Sequence, residues 1–163
     1  MKRFIFDTNI YGELIFDRDF LRLKEAVKKN AVIHGFTIIR NELRDVPKQI
    51  KLEGKNLRIG LLHIYDELTS KSYSLTSEIE KLGNDYYTAY RSFGGSKALR
   101  EILNDFLIVA CASQYSINII VSEDNKTMLT ENARKAYNTV NGLSNRKTPQ
   151  FFGYLELKRW LIE

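Results

Sequence analysis

The stretch RFIFDTNIYG, residues 3–12, decides how this chain is read. Its apolar half, residues 3–6, has the unbroken hydrophobic character of a strand buried on both faces, as in a parallel sheet. It stops abruptly at Asp7, Thr8 and Asn9, a carboxylate, a hydroxyl and an amide in succession. A second stretch, INIIVSEDN at 117–125, repeats the pattern with Ser122, Glu123 and Asp124 after its apolar run. In open parallel sheets, function gathers at the carboxyl ends of the strands. Both polar triplets are therefore expected on one edge of one sheet.

The rest of the chain supplies the helices such a sheet needs. Residues 18–29 place Phe20, Leu23 and Val27 at helical spacing, and 31–35 (AVIHG) reads as a second short strand. In TIIRNELRDV, 37–46, the isoleucines argue for a strand and Arg40, Glu42, Leu43 and Arg44 for a helix. Spacing favours a helix from Thr37 that stops before Pro47. Residues 48–58 read as a basic loop, 59–70 as a helix, and 74–93 as a helix weakened near Gly83. A turn at 94–97 leads into a strong helix over 98–115, followed by a helix over 130–142, a late strand within 149–154 and a closing helix over 155–162. Strands alternating with helices predict an α/β protein, a sandwich with a mostly parallel sheet. There is no internal repeat or low-complexity tract.

Composition bounds the function classes. A chain of 163 residues is expected to be one domain with a core that needs no disulfides. The lone cysteine, Cys111, lies in the apolar run FLIVACAS and reads as core, which points to a cytoplasmic protein. No apolar run approaches the ~18 residues of a membrane span, and MKRFIF is cut short by Asp7, unlike a signal peptide. The net charge of +5 permits a polyanionic partner. No GxSxG, Walker A or dinucleotide-binding glycine loop is present.

A third acid, Asp105, stands directly before the apolar stretch FLIVAC. A buried carboxylate is costly unless it is paired or bound to a cation. Taken with Asp7 and Asp124, it points to a divalent metal, and oxygen ligands suit Mg²⁺ or Mn²⁺. Zinc does not fit: His34 and His63 are far apart and form no spaced motif with Cys111. Metal held by carboxylates activates water for attack on a phosphodiester, which favours phosphoryl transfer over acyl chemistry. Glu42, read alone, is a solvated helix residue.

The stretches FIFDTNIYG, IIRNEL, NDFLIVACAS and IIVSEDN together resemble the PIN domain family, in particular its VapC-like toxin branch. The resemblance spans nearly the whole chain. It implies a three-layer α/β/α sandwich with a short, mostly parallel central sheet, in a single domain over 1–163 with a helical and basic insertion around 47–97. It implies a Mg²⁺- or Mn²⁺-dependent endoribonuclease with Asp7, Glu42, Asp105 and Asp124 as catalytic and metal-binding acids. Thr8, Asn9, Ser122 and Asn125 would brace them. It also implies RNA as substrate, a homodimer and an antitoxin partner. Where such toxins commonly carry an Asp-Phe pair after the fourth acid, this chain reads KTML.

Acids repel RNA, so basic side chains must surround them. Lys51 and Lys55 with Lys48 and Arg58 form one candidate group, Lys97 and Arg100 a second, and Arg134, Arg146 and Lys147 a third. Tyr86 and Tyr90 share a helix face and read as a helix-pair core or dimer seam ahead of a base-stacking platform; Tyr11 is expected near the pocket mouth. Two alternatives stay open. One is a non-catalytic RNA- or protein-binding domain that keeps the acids. The other is an aspartate-dependent phosphatase, which would want a second Asp where Asn9 stands.

Overall fold

The computed structural model describes residues 1–163. In chain order the elements are β1 (Lys2–Phe6), α1 (Thr8–Phe16), α2 (Phe20–Asn30), β2 (Ala31–Phe36) and α3 (Thr37–Arg44). There follow β3 (Lys51–Leu52), β4 (Lys55–Asn56), α4 (Leu57–Leu68), β5 (Thr69–Tyr73) and α5 (Ser77–Ser92). The chain closes with α6 (Leu99–Gln114), β6 (Ile119–Val121), α7 (Glu131–Leu143), β7 (Gln150–Phe152) and α8 (Tyr154–Ile162). Five strands form one sheet in the order β5-β2-β1-β6-β7. Every pairing in it is parallel. Helices α1, α2, α4 and α8 pack together on one side and α5, α6 and α7 on the other. This is the three-layer, PIN-like α/β/α sandwich expected from the sequence.

The apolar run of β1 is buried because it is the central strand. Phe4, Ile5 and Phe6 are wholly inaccessible, with Phe4 aligned to Ile33 of β2 on one side and Ile119 of β6 on the other. Helix α6 is buried along most of its length, from Phe106 to Ser113, and Cys111 lies among these core residues. Burial alone pushes its thiol up to about 12, so it stays protonated and inert.

Two local expectations are revised, and one helix was not foreseen. That helix, α1, starts at Thr8 directly after the first triplet's aspartate, and Asp7 caps it through its side chain. The segment 48–58 holds a small antiparallel hairpin, β3–β4, turning through Glu53 and Gly54, both at positive φ. Helix α5 is continuous through Gly83, and the glycine serves packing. A Cβ there would stand 2.9 Å from Leu107 Cδ2, so its absence lets α5 close on α6. The segment 47–97 contains the two expected helices and also β5, an edge strand along β2. Its residues are mostly exposed and polar, as suits a sheet edge. No helix is long and apolar enough to cross a membrane.

Candidate metal centre

The site is built where β1 and β6 end side by side. Val121 C=O accepts from Asp7 N–H at 2.9 Å, which fixes the two strand ends together. Asp7, only 5% exposed, accepts from Ser122 Oγ at 2.7 Å and from Thr8 N–H at 2.8 Å. Burial raises its carboxyl above the ordinary range against the pull of those two bonds. Ser122 Oγ in turn accepts from Asp124 N–H at 3.0 Å. One serine thus orients two acids.

Asp124 turns the chain back over the sheet edge. Its carboxylate accepts from the N–H groups of Lys126 (3.1 Å) and Thr127 (3.0 Å). Burial works against its ionisation, but the bonds from Thr127 and from these N–H groups prevail and hold it below the ordinary carboxylate range. Asp105 enters from the opposite layer, two turns into α6. Burial first, and the nearby Asp7 and Asp124 charges next, push it up to about 8. Ligand oxygens of Asp7, Asp105 and Asp124 all lie within 4.8 Å of one another.

Thr127 closes the cluster. Its hydroxyl contacts both Asp105 Oδ2 and Asp124 Oδ2. A hydroxyl has one proton to give, so the second contact needs a proton on a carboxyl group. Asp105, pushed up to about 8, is the acid suited to carry it. Sequence reading passed over Thr127 because KTML stood out only as a departure from an acidic motif. Its spacing of three from Asp124, within one turn, was the signal available.

Glu42 lies on the second turn of α3, outside the group of three but near enough for Asp7 to act on it. Burial, and then Asp7, push it up to about 7, and its Oε1 is buried without a hydrogen-bond partner. Thr8 Oγ1 is likewise buried and unpartnered. None of the four acids forms an ion pair with a lysine or arginine. Converging carboxylates with no side-chain cation and with orphaned oxygens fit a hard divalent ion. The arrangement is consistent with a metal-dependent, nuclease-type active site.

The remaining expected residues lie at varying distances from it. Asn9 Oδ1 accepts weakly from Glu123 N–H at 3.4 Å, which ties the two triplets together. Asn125 is exposed and bonds only the Glu123 carbonyl, at 3.4 Å, away from the acids. Glu123 turns aside to accept from Tyr154 N–H at the start of α8. Lys97 and Arg100 stand at the N-terminal end of α6, with Arg100 about 7.5 Å along the axis from Asp105. Lys51 and Lys55 are exposed on the hairpin. Just after the hairpin, Arg58 at the start of α4 donates from Nη1 to Arg44 C=O at the end of the Glu42 helix, at 3.0 Å.

Other expectations separate cleanly from the site. Tyr11 is fully buried against Phe6 and Tyr65, not at a pocket mouth, because α1 turns its face inward. Tyr86 and Tyr90 pack in the α5–α6 core against Phe106. His34 is buried in β2, stacked on Tyr73, and burial lowers its pKa; His63 is exposed on α4.

No family model matches the sequence, and no curated protein does. Solved structures do match. VapBC2 from Rickettsia felis, bound to a DNA fragment from its promoter, aligns over 93% of this chain and 98% of that one, with a TM-score of 0.57 at 14% identity. FitAB bound to the IR36 DNA fragment aligns over 93% and 94%, with a TM-score of 0.56 at 13% identity. At these identities the likeness is one of fold. It agrees with the PIN-like sandwich described above and covers nearly its whole length.

Proposed function

We propose that this chain is a divalent-metal-dependent endoribonuclease. The observation that carries the reading is the convergence of Asp7, Asp105 and Asp124 within 4.8 Å, from three separate parts of the chain, with no basic side chain among them. Asp7, Asp105 and Asp124 would hold Mg²⁺ or Mn²⁺, with Glu42 beside them. A bound ion would supply an activated water and offset charge on the phosphodiester. Ser122 and Thr8 hold the Asp7 carboxylate in one orientation. Glu42, with a carboxyl near 7 and one free oxygen, is suited to take or give a proton at neutral pH. Lys97 and Arg100 on α6, and Lys51 and Lys55 on the hairpin, would carry the RNA backbone.

A phosphatase using Asp7 as nucleophile is disfavoured, because the second Asp it would want is here Asn9, whose amide oxygen accepts from Glu123 N–H. The toxin role, the antitoxin partner and the homodimer rest on the resemblance to VapC-like toxins. The fold shared with VapBC2 and FitAB supports them. In this reading 1–163 is one nuclease domain, and its 47–97 segment shapes which RNA is taken.

The test is cleavage of RNA by purified protein with Mn²⁺ or Mg²⁺, with EDTA, and with Asp7→Asn. Cleavage that needs the metal and falls at least ~100-fold in the variant is expected, in line with the weight of electrostatic groups at such centres. Cleavage that survives both EDTA and the substitution would refute the reading.

A further inference from the structure

We infer a nucleobase-binding subsite on the free edge of β7, separate from the acid cluster. The inference rests on the ribonuclease reading above for its biological ligand, but the subsite itself is defined by the structure. A 410 Å³ depression lies between α7 and α8 over this edge, lined among others by Arg134, Asn138, Gln150, Phe151 and Glu156. Its volume falls within the range of small-ligand pockets.

Three features suit it to a base. Strand β7 pairs only with β6. Gln150 N–H donates to Asn118 C=O, and Phe152 C=O accepts from Ser122 N–H, so both of these residues turn their backbone groups toward β6. Backbone groups alternate sides along a strand. The Phe151 N–H and C=O therefore both point to the open edge, a donor beside an acceptor. Every nucleobase carries an adjacent acceptor and donor on its pairing edge, so this pair recognises a base without selecting which.

The second feature is a stacking surface. The Arg134 guanidinium lies 5.3 Å from the Phe151 ring centroid, and Tyr137 backs the ring at 5.8 Å. The guanidinium lies over the ring and is itself exposed, a planar cation held flat of the kind on which single-stranded bases stack. The third is the amide pair Asn138 and Gln150 at the same depression, which offers further hydrogen bonds to a base. Glu156 is drawn back to accept from Gly153 N–H at 3.3 Å.

The depression adjoins the acid cluster through two tethers. Phe152 bonds Ser122, which orients Asp7. Arg134 Nε donates to Leu129 C=O at 3.2 Å, and Leu129 N–H donates to Asp124 C=O at 3.0 Å. A base bound there would stack on Arg134 and meet the Phe151 backbone, on the β7 side of the acid cluster.

The test uses the full chain in EDTA, titrated with AMP, CMP and ribose 5-phosphate and followed by backbone amide NMR. Saturable shifts at Phe151 and its neighbours with both nucleotides, absent with ribose 5-phosphate and abolished in Arg134→Ala, are expected. In the same variant and in Asn138→Ala, affinity for single-stranded RNA should fall about tenfold. No shift with either nucleotide, or equal shifts with ribose 5-phosphate, would overturn the subsite, and RNA cleavage by the wild-type chain would then leave the nuclease reading standing. Nucleotide binding without RNA cleavage would support the subsite and remove the nuclease reading.

Discussion

At the scale of single residues, the centre is a balance among acids that the protein leaves without a basic partner. Asp105 and Glu42 titrate near 8 and 7, well above an isolated carboxylate, and burial is the main cause in both. Between an ordinary unfolded pKa near ~4 and these folded values, the native state binds more protons than the unfolded one. Stability without metal therefore falls as pH rises across that window. Thermal unfolding in EDTA should show a declining Tm from about pH 4 to 8, a profile flattened in Asp105→Asn. A Tm that rises over this range would contradict the assigned burial effects. Bound Mn²⁺ displaces those protons, so its affinity should strengthen with pH over the same interval, as titration calorimetry in two buffers would show. Thr127→Val keeps the volume and removes the bridge. It should weaken Mn²⁺ binding roughly tenfold, an effect of the size expected for groups that orient ligands, while Thr127→Ser restores most of it. Asp7, Asp105 and Asp124 were legible in the sequence because each follows or precedes an apolar run, where a carboxylate is conspicuous. Thr127 was not, because a threonine in a polar loop looks like any other until the fold sets it between two acids.

At the scale of elements, what sequence periodicity revealed tracks burial. β1, β2 and α6 announced themselves through apolar runs, and α2 through apolar residues at helical spacing. β5 did not: TSKSY has little to bury, and its place is fixed by hydrogen bonds to β2 that no periodicity records. The hairpin after α3 was equally silent, since its turn depends on two residues at positive φ. That hairpin carries Lys51 and Lys55. Replacing both with Ala should lower the slope of log affinity for single-stranded RNA against log salt by about 1.4, taking ~0.7 for each phosphate that a lysine no longer neutralises. An unchanged slope would move RNA off this element. Helices α5, α6 and α7 are joined by a buried polar node. Tyr86 OH donates to Asn141 Oδ1 at 2.6 Å, and Asn141 Nδ2 donates to Ser113 Oγ at 3.1 Å and Thr148 Oγ1 at 3.0 Å. Tyr86→Phe leaves a buried amide oxygen without its donor and should cost about 1–3 kcal/mol in chemical unfolding. Cleavage by the folded fraction should be unaffected.

At the scale of the whole molecule, both faces of the sheet meet at one point. Asp7 and Asp124 project from strand ends, Glu42 from α3, and Asp105 from the helix layer beyond. A cation bound there would link the layers. Saturating Mn²⁺ should raise the Tm by several degrees, because a ligand at ~100 times its Kd adds about 2.7 kcal/mol, and the gain should vanish in Asp7→Asn. The sandwich itself was legible as alternating strands and helices. The strand order was not, because nothing in RFIF or INII states which neighbours they take.

That order has a consequence for how the molecule comes into being. Among the strands of the sheet the middle one is made first, yet one of its two neighbours follows more than a hundred residues later. Until then Asp7 has neither the Val121 carbonyl nor the Ser122 hydroxyl that set it in place. A chain not yet translated past β6 therefore has no assembled centre. Whatever hydrolytic power this molecule has is withheld until β6 and the turn after it have been made.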